Sequence, residues 1–290
     1  MNRKADAIDY DAHKKFFREV LQSIHDIMNE EYGLCDVTIT PLGASAARLS
    51  IPIKIEGFDE DAKKVKMFGK ILGNSELVTA KAIQLVKNIY LHMDSKSPLF
   101  DFNASAEDLA KHQYEVLGKM YDLGIPTAKP LGFYMVKGNT WLLVEEFLDA
   151  KPITDISKIK KEHLETAFSY LAKMHRNGIY HGDIKPENIM FAERVYIMDI
   201  GNFLDEAPEE DKRGYDLACC IASLLEYLPP EEIVVLALKY YSKKEIDHAK
   251  DFLELIQHRP DLDISDEKKK ELMDLMSDPG KIGKMLRKRQ

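Results

Sequence analysis

The chain contains 290 residues, enough for two structural units, and it carries a net charge of −8. The negative charge argues against a broad nucleic-acid surface, because a phosphate backbone requires clustered Lys and Arg side chains, and the dense basic run is confined to residues 281–289. The three cysteines form no Cys-x-x-Cys pair, so no zinc or redox motif is indicated. The amino terminus does not resemble a signal peptide and no apolar run approaches the length of a membrane span, so we expect a cytoplasmic protein.

The first quarter of the chain predicts one amphipathic helix followed by strands. Apolar residues recur at helical spacing from about Asp9 to Glu31, and Gly33 is a typical helix end. The apolar and β-branched runs that follow predict strands at residues 36–40, 49–55 and 64–72.

The rest of the chain predicts mainly helices. One more apolar strand, at residues 141–148, ends in acidic residues. A Ser-x-x-Asp sequence beginning at Ser105 resembles a capping box ahead of a helix. Helical spacing of apolar residues predicts helices at residues 74–93, 106–123, 164–175, 216–228, 231–241, 244–257 and 265–276.

Residues 180–190 carry polar side chains at a fixed spacing. They read Tyr-His-Gly-Asp-Ile-Lys-Pro-Glu-Asn-Ile-Met, which contains the pattern His-x-Asp-x-x-x-x-Asn between His181 and Asn188. Asp199-Ile200-Gly201 follows after a short apolar strand. These motifs resemble the catalytic loop and the metal-binding turn of the protein-kinase superfamily. The Gly-Ile-Pro sequence that starts at Gly124 is similar to the same region of RIO, lipopolysaccharide and aminoglycoside kinases.

The resemblance implies an α+β fold class and a bilobal protein-kinase-like fold. A small β-rich N-lobe with extra helices would precede a helical C-lobe. The implied divisions are a helical extension at residues 1–34, the N-lobe at 35–148 and the C-lobe at 149–290.

The resemblance also implies roles for the loop residues. Asp183 would orient the acceptor hydroxyl and accept its proton, and Lys185 would lie beside the transferred phosphoryl group. Asn188 and Asp199 would hold Mg²⁺, a hard cation that prefers oxygen ligands.

The same resemblance implies where ATP would bind. The small-residue turn at 41–48 corresponds to the phosphate-covering loop, in which the backbone at Gly43 and the hydroxyl of Ser45 would meet phosphate oxygens. Adenine would bond to the backbone at Glu146 and Leu148.

A strand lysine that neutralises the nucleotide phosphates is a further implied feature. Lys70 and Lys66 lie on one face of the predicted strand, and an aromatic-Gly-Lys-aliphatic ending favours Lys70. Kinases pair this lysine with a helix glutamate. Counting back from Gly124 puts Gln113 at that place with Glu115 two residues away, so the partner stays open.

Three features differ from regulated protein kinases. Gly182 replaces the arginine that docks a phosphorylated activation loop, the segment between Gly201 and Gly214 is short, and no Ala-Pro-Glu sequence follows. Asp216 resembles the aspartate that braces the catalytic loop. These differences predict activity without activation-loop phosphorylation.

The sequence therefore predicts a kinase that uses ATP and Mg²⁺ to phosphorylate an alcohol group. The favoured interpretation is an atypical, RIO-like serine/threonine protein kinase. The alternatives are a small-molecule kinase acting on a sugar, lipopolysaccharide or lipid, and a pseudokinase scaffold. The expected partners are ATP and a protein or small-molecule hydroxyl acceptor, and nucleic acid is not expected as a direct ligand.

Overall fold

The computed structural model describes residues 10–42, 50–73, 87–89, 91–92, 96–101, 103–259, 261–262 and 264–278. These residues divide into two units. One unit contains the N-terminal helix, a five-stranded sheet and residues 104–114, and the other contains the described part of 81–103, residues 115–129 and the chain from 148 onward. The domain boundaries suggested by the sequence, at 34/35 and 148/149, stay a prediction.

The first unit begins with helix α1 (Tyr10–Tyr32), which buries one face. Val20, Ile24 and Met28 recur every fourth residue and share a buried cluster with apolar residues of the sheet. Gly33 ends the helix with a φ of +62°, a left-handed conformation that favours glycine at this position.

The sheet of the first unit is antiparallel throughout. Its order is β1-β2-β3-β5-β4, so β3 lies inside the sheet between β2 and β5. The strands are β1 (Cys35–Pro41), β2 (Ile51–Phe58), β3 (Lys64–Leu72), β4 (Pro130–Lys137) and β5 (Thr140–Glu146).

Helix α2 (Ala106–Asp122) contributes residues to both units. The Ser105 hydroxyl accepts a hydrogen bond from the Asp108 N–H at 3.1 Å, and the Asp108 carboxylate accepts one from the Ser105 N–H at 2.9 Å. This reciprocal pair confirms the predicted capping box.

The second unit is mainly helical around one apolar core. A small sheet of order β6-β7-β8 accompanies the helices. The elements are β6 (Lys151–Pro152), α3 (Lys161–Arg176), β7 (Ile189–Phe191), β8 (Val195–Ile197), α4 (Glu209–Ser223), α5 (Pro230–Leu238), α6 (Lys243–Lys250), α7 (Leu253–Gln257) and α8 (Asp266–Ser277).

Two helix predictions in this unit were wrong. The helix expected to begin at Asp216 begins at Glu209. Its first turn is acidic, which resembles a loop in the sequence, but negative side chains are favourable at the N-terminus of a helix. The single helix expected at 244–257 is two helices, since the chain turns at Asp251 and buries Phe252 edge-on against Tyr215.

The predicted α+β class is confirmed by an antiparallel sheet in one unit and a helical core in the other. Within the described residues, none of the helices is long and apolar enough to cross a bilayer.

Candidate active site

The loop predicted to be catalytic follows α3 in the second unit. Gly178, with a φ of +67°, ends the helix, and the chain then runs through residues 179–185 into a single 3₁₀ turn, Pro186–Asn188. Pro186 opens that turn with the fixed φ that suits a first helical position. The loop is therefore supported by regular structure on both sides.

Asp216 of α4 holds the backbone of this loop. It is fully buried, and its two carboxylate oxygens accept the N–H groups of His181 at 2.6 Å and Gly182 at 2.8 Å. Its Oδ2 also lies 3.3 Å from His175 Nε2. These contacts confirm the bracing role that the sequence suggested for Asp216.

His181 is a structural residue of the loop. Its Nε2 lies 2.8 Å from the carbonyl oxygen of Met198, and its Nδ1 accepts the N–H of Asp183 at 3.2 Å. Complete burial lowers the pKa of His181, because an imidazolium would lose its hydration there. The neutral ring thus links the loop to the segment that carries Asp199.

Two glycines let the loop and the Asp-Ile-Gly segment approach each other. Gly182 adopts a φ of +75°, and the Gly201 N–H donates to the His181 carbonyl at 2.7 Å. A Cβ on Gly201 would lie 2.8 Å from the carbonyl carbon of Gly182. Asp199 has a φ of +60°, which is uncommon for a residue other than glycine and is typical of functional segments.

Asn188 lies between the two predicted acidic residues. Its Nδ2 donates to the Asp183 carbonyl oxygen at 2.8 Å and lies 3.4 Å from Asp183 Oδ2 and 3.5 Å from the Asp199 carbonyl oxygen. The structure therefore brings Asp183, Asn188 and Asp199 together.

The donor chemistry of this group fits a hard cation. The amide nitrogen of Asn188 makes the contacts to Asp183 and to the Asp199 carbonyl oxygen, which leaves the Asn188 amide oxygen as a ligand atom, and Asp199 carries a carboxylate on the neighbouring segment. Among the described residues, no three His, Cys, Asp or Glu side chains converge as a metal-binding set. Such a pair of oxygens suits Mg²⁺ shared with phosphate oxygens, rather than a site built from protein ligands alone.

The carboxylate of Asp183 is surrounded by cations. Lys185 Nζ lies 3.1 Å from Oδ2, and the Arg259 guanidinium lies 2.9 Å from Oδ1. Burial on its own would raise the pKa of Asp183, but the charges of Arg259 and Lys185 outweigh it and hold that pKa well below its usual range. Asp183 is therefore ionised at neutral pH, and the raised pKa of Lys185 keeps the lysine protonated beside it.

Arg259 and Asp261 were not identified from the sequence. Both lie in the connection between α7 and α8, and Arg259 is 76 residues from Asp183, so no local motif joins them. The one available signal was a lone Arg-x-Asp in a polar segment, which is common on protein surfaces.

Lys70 occupies a buried place in the sheet of the first unit. It lies on β3 with its Nζ 2.9 Å from a carboxylate oxygen of Glu145 on β5 and 3.5 Å from Oε1 of Gln113 on α2. The Lys70 and Glu145 side chains are only 5% and 0% exposed. Lys66, the alternative lysine, is exposed, and so is Glu115.

Four residues were predicted to contact the rest of the nucleotide, and two of them, Gly43 and Ser45, lie outside the described residues. Glu146 is the exposed last residue of β5, and Leu148 follows two residues later, partly buried.

Comparison with known proteins gives a partial likeness to kinases, and no protein-family model matches the chain. Over 188 residues, or 57% of the chain, it is 26% identical to the serine/threonine-protein kinase PknB of Mycobacterium tuberculosis. Over 104 residues, or 34%, it is 32% identical to the serine/threonine-protein kinase D of Synechocystis sp.. Over 146 residues, or 46%, it is 26% identical to the Aurora kinase of Candida albicans.

The chain is similar to protein kinases over about half of its length. It covers only 28%, 18% and 27% of the lengths of PknB, kinase D and the Aurora kinase. A crystal structure of a mutant PknI kinase domain from Mycobacterium tuberculosis aligns with 84% of this chain and 96% of that domain at a TM-score of 0.42 and 10% identity.

Proposed function

We propose that this chain is a phosphotransferase that uses ATP and Mg²⁺ and transfers the terminal phosphoryl group to a hydroxyl. The observation that carries the proposal is the position of Asn188, within 3.5 Å of atoms of both Asp183 and Asp199. The partial similarity to serine/threonine kinases supports the same reaction class.

Asp183 acts on the acceptor hydroxyl. Because Arg259 and Lys185 hold its pKa low, it is a weak base, so its main contribution is to orient the hydroxyl by accepting a hydrogen bond. It takes the proton late, when bond formation has made that proton acidic. This timing agrees with the loose transition state of phosphoryl transfer, in which positioning matters more than deprotonation.

The charges of the site suit a migrating phosphoryl group. Lys185 is partly exposed and protonated, so it offsets negative charge that develops on the transferred group. Bound Mg²⁺ would supply positive charge to the nucleotide phosphates, with Asn188 and Asp199 as its protein ligands. Lys70, fixed by Glu145, would neutralise further phosphate charge.

Within this class, we favour an atypical serine/threonine protein kinase of the RIO-like kind. Lys185 at its place in the loop is typical of serine/threonine protein kinases. The short stretch between Gly201 and the start of α4 at Glu209 leaves no peptide-binding platform of the usual length, which favours either the RIO-like kind or the alternative, a small-molecule kinase.

Incubation of the full chain with ATP and Mg²⁺, followed by mass spectrometry, tests the proposal. Phosphate on serine or threonine of the chain or of an added protein supports a protein kinase, whereas phosphate only on added sugars or lipids supports the alternative. Asp183→Asn is the matched control, and it should reduce transfer about 10²–10⁴-fold. Equal transfer by both proteins, or none by the wild type with any acceptor, would contradict the proposal and favour a scaffold.

A further inference from the structure

The connection between α7 and α8 carries two side chains that contact the residues proposed for catalysis. Arg259 Nη2 donates to Asp183 Oδ1 at 2.9 Å, and Asp261 Oδ2 lies 3.6 Å from Lys185 Nζ. All four residues belong to the second unit. Since Lys185 also contacts Asp183 at 3.1 Å, the four side chains form a closed ring of alternating charge.

The guanidinium of Arg259 is fixed from several sides. Its Nε and Nη2 donate to the two oxygens of Asp261 at 2.9 and 2.6 Å, the forked geometry that arginine makes with a carboxylate. Its Nη1 donates to the Tyr215 hydroxyl at 2.8 Å. The Arg259 side chain is only 3% exposed, so water cannot replace these partners.

Two adjacent residues of helix α4 support the catalytic loop, one through the loop backbone and the other through the arginine that contacts Asp183. Asp216 holds the loop backbone at His181 and Gly182, and Tyr215 holds the arginine that contacts the Asp183 carboxylate. Tyr215 is itself fully buried against Phe100 and Phe252. The backbone and the carboxylate of the loop are thus anchored to the same rigid element.

We propose that Arg259 and Asp261 are positioning residues for the transfer step, an inference that rests on the proposed phosphotransferase function. The hydrogen bond from Arg259 to Oδ1 of Asp183 prevents the carboxylate from rotating freely. Oδ2 therefore keeps one orientation towards the acceptor hydroxyl. Asp261 orients the guanidinium and balances its charge. Its contact with Lys185 also holds that lysine beside the carboxylate.

Steady-state kinetics test the catalytic part of this inference, with rates normalised to the number of ADP-binding sites so that unfolded protein does not count. Arg259→Met and Asp261→Asn should each lower kcat at least tenfold, since a displacement of about 1 Å can cost on the order of 10²-fold. The KM for ATP should change less than about twofold, because neither side chain is proposed to contact nucleotide. Arg259→Lys should be intermediate, because an ammonium cannot reproduce the forked contacts.

The matched control is Arg176→Met, which removes an exposed arginine of the same unit that donates to the Tyr240 carbonyl. Its kcat should equal that of the wild type. The Arg259→Met/Asp261→Asn double variant should be no slower than the worse single variant, since the two side chains act as one unit. Wild-type kcat in Arg259→Met would overturn the inference.

A double-mutant cycle in urea tests the contact without any activity. Asp183→Asn and Arg259→Met should each lower the unfolding midpoint, and the double variant should lose less than both losses added together. If the two losses simply add, the inference is overturned, whether or not the wild-type protein transfers phosphate. If the variants show coupled losses but the wild type transfers no phosphate, the proposed function is rejected while the fixed Asp183–Arg259 contact is still supported.

Discussion

Glycine at position 201 is required by the distance between two backbone segments. A Cβ there would lie 2.8 Å from the Gly182 carbonyl carbon, 2.9 Å from its oxygen and 3.1 Å from the Asp183 nitrogen. These neighbours are backbone atoms, which cannot rotate away as the end of a long side chain can. Any side chain at 201 therefore has to displace the loop that carries Asp183.

Replacement of Gly201 by alanine should accordingly reduce transfer by at least tenfold, approaching about 10²-fold if Asp183 moves by roughly 1 Å. The measurement is kcat of the variant against the wild type. Gly138→Ala is the control. The backbone at position 138, with a φ of +57°, also favours glycine, but no atom lies within 4 Å of a Cβ added there. That variant should lose some stability and keep its kcat, and a normal kcat in Gly201→Ala would show that the two segments can separate without consequence.

The acidic partner of Lys70 comes from the sheet. Glu145 lies on β5, next to β3, whereas the helix α2 presents the neutral amide of Gln113 at 3.5 Å. Counting along the sequence points to Gln113 or Glu115 as the partner, whereas Glu145 reads only as one of two acidic residues at the end of a strand. A buried lysine needs a nearby carboxylate, and the sheet supplies it.

Glu145→Gln should therefore destabilise the protein by about 3 kcal/mol or more, because it removes a carboxylate that lies 2.9 Å from a buried ammonium. It should also raise the KM for ATP if Lys70 contacts phosphate. Urea unfolding and ATP titration measure the two effects. Adding Gln113→Glu should restore part of both, and an unchanged unfolding midpoint in Glu145→Gln would contradict a stabilising Lys70–Glu145 pair.

At the scale of an element, strands β2 and β3 share a partly exposed ion-pair cluster that makes stability depend on pH. Glu56 lies 2.8 Å from Lys54 and 2.9 Å from Lys64. Hydrogen bonds from Lys54 and then Lys64 lower the pKa of Glu56 from 4.5 to about 2. Because the folded pKa is depressed, the stabilisation is complete above the unfolded pKa and is lost as the pH falls towards the folded value.

Glu56→Gln should thus lower the free energy of unfolding slightly near neutral pH, and the difference from the wild type should disappear as the pH falls to about 2. Urea titrations of both proteins at a series of pH values measure it. A difference that stays constant or grows on acidification would show that Glu56 is not held ionised by these lysines.

The elements differ in how well the sequence predicted them. Strand β3 and helices α1, α2 and α8 were predicted to within about two residues, because apolar periodicity and capping residues are local signals. The turn at Asp251 that divides α6 from α7 was missed, since it depends on the burial of Phe252 by a distant helix.

At the scale of the whole molecule, the predicted contacts join residues that are close in the sequence, and the contacts that were missed join residues that are far apart. The proximity of Asp183, Asn188 and Asp199 was expected from a motif within 17 residues. Arg259 reaches the same carboxylate from far along the chain, and Glu145 reaches Lys70 from the neighbouring strand β5. Tertiary pairs of this kind have no periodicity and no fixed spacing, so a single sequence does not reveal them.

Binding of a nucleotide with magnesium should also stabilise the whole protein. At a ligand concentration 100 times Kd, the gain is about 2.7 kcal/mol. Thermal unfolding with Mg²⁺ and a non-hydrolysable ATP analogue should show a higher Tm than either component alone. The increase should shrink in Asp199→Asn and persist in Asp183→Asn, and an equal increase in both variants would contradict the assignment of Asp199 to the metal.

The most direct test is a comparison of phosphate transfer and nucleotide affinity in the wild type and Asp183→Asn. We expect the variant to bind ATP and Mg²⁺ with nearly wild-type affinity and to lose about 10²–10⁴-fold in transfer rate. Undiminished transfer by Asp183→Asn would contradict the claim that this loop carries out phosphoryl transfer.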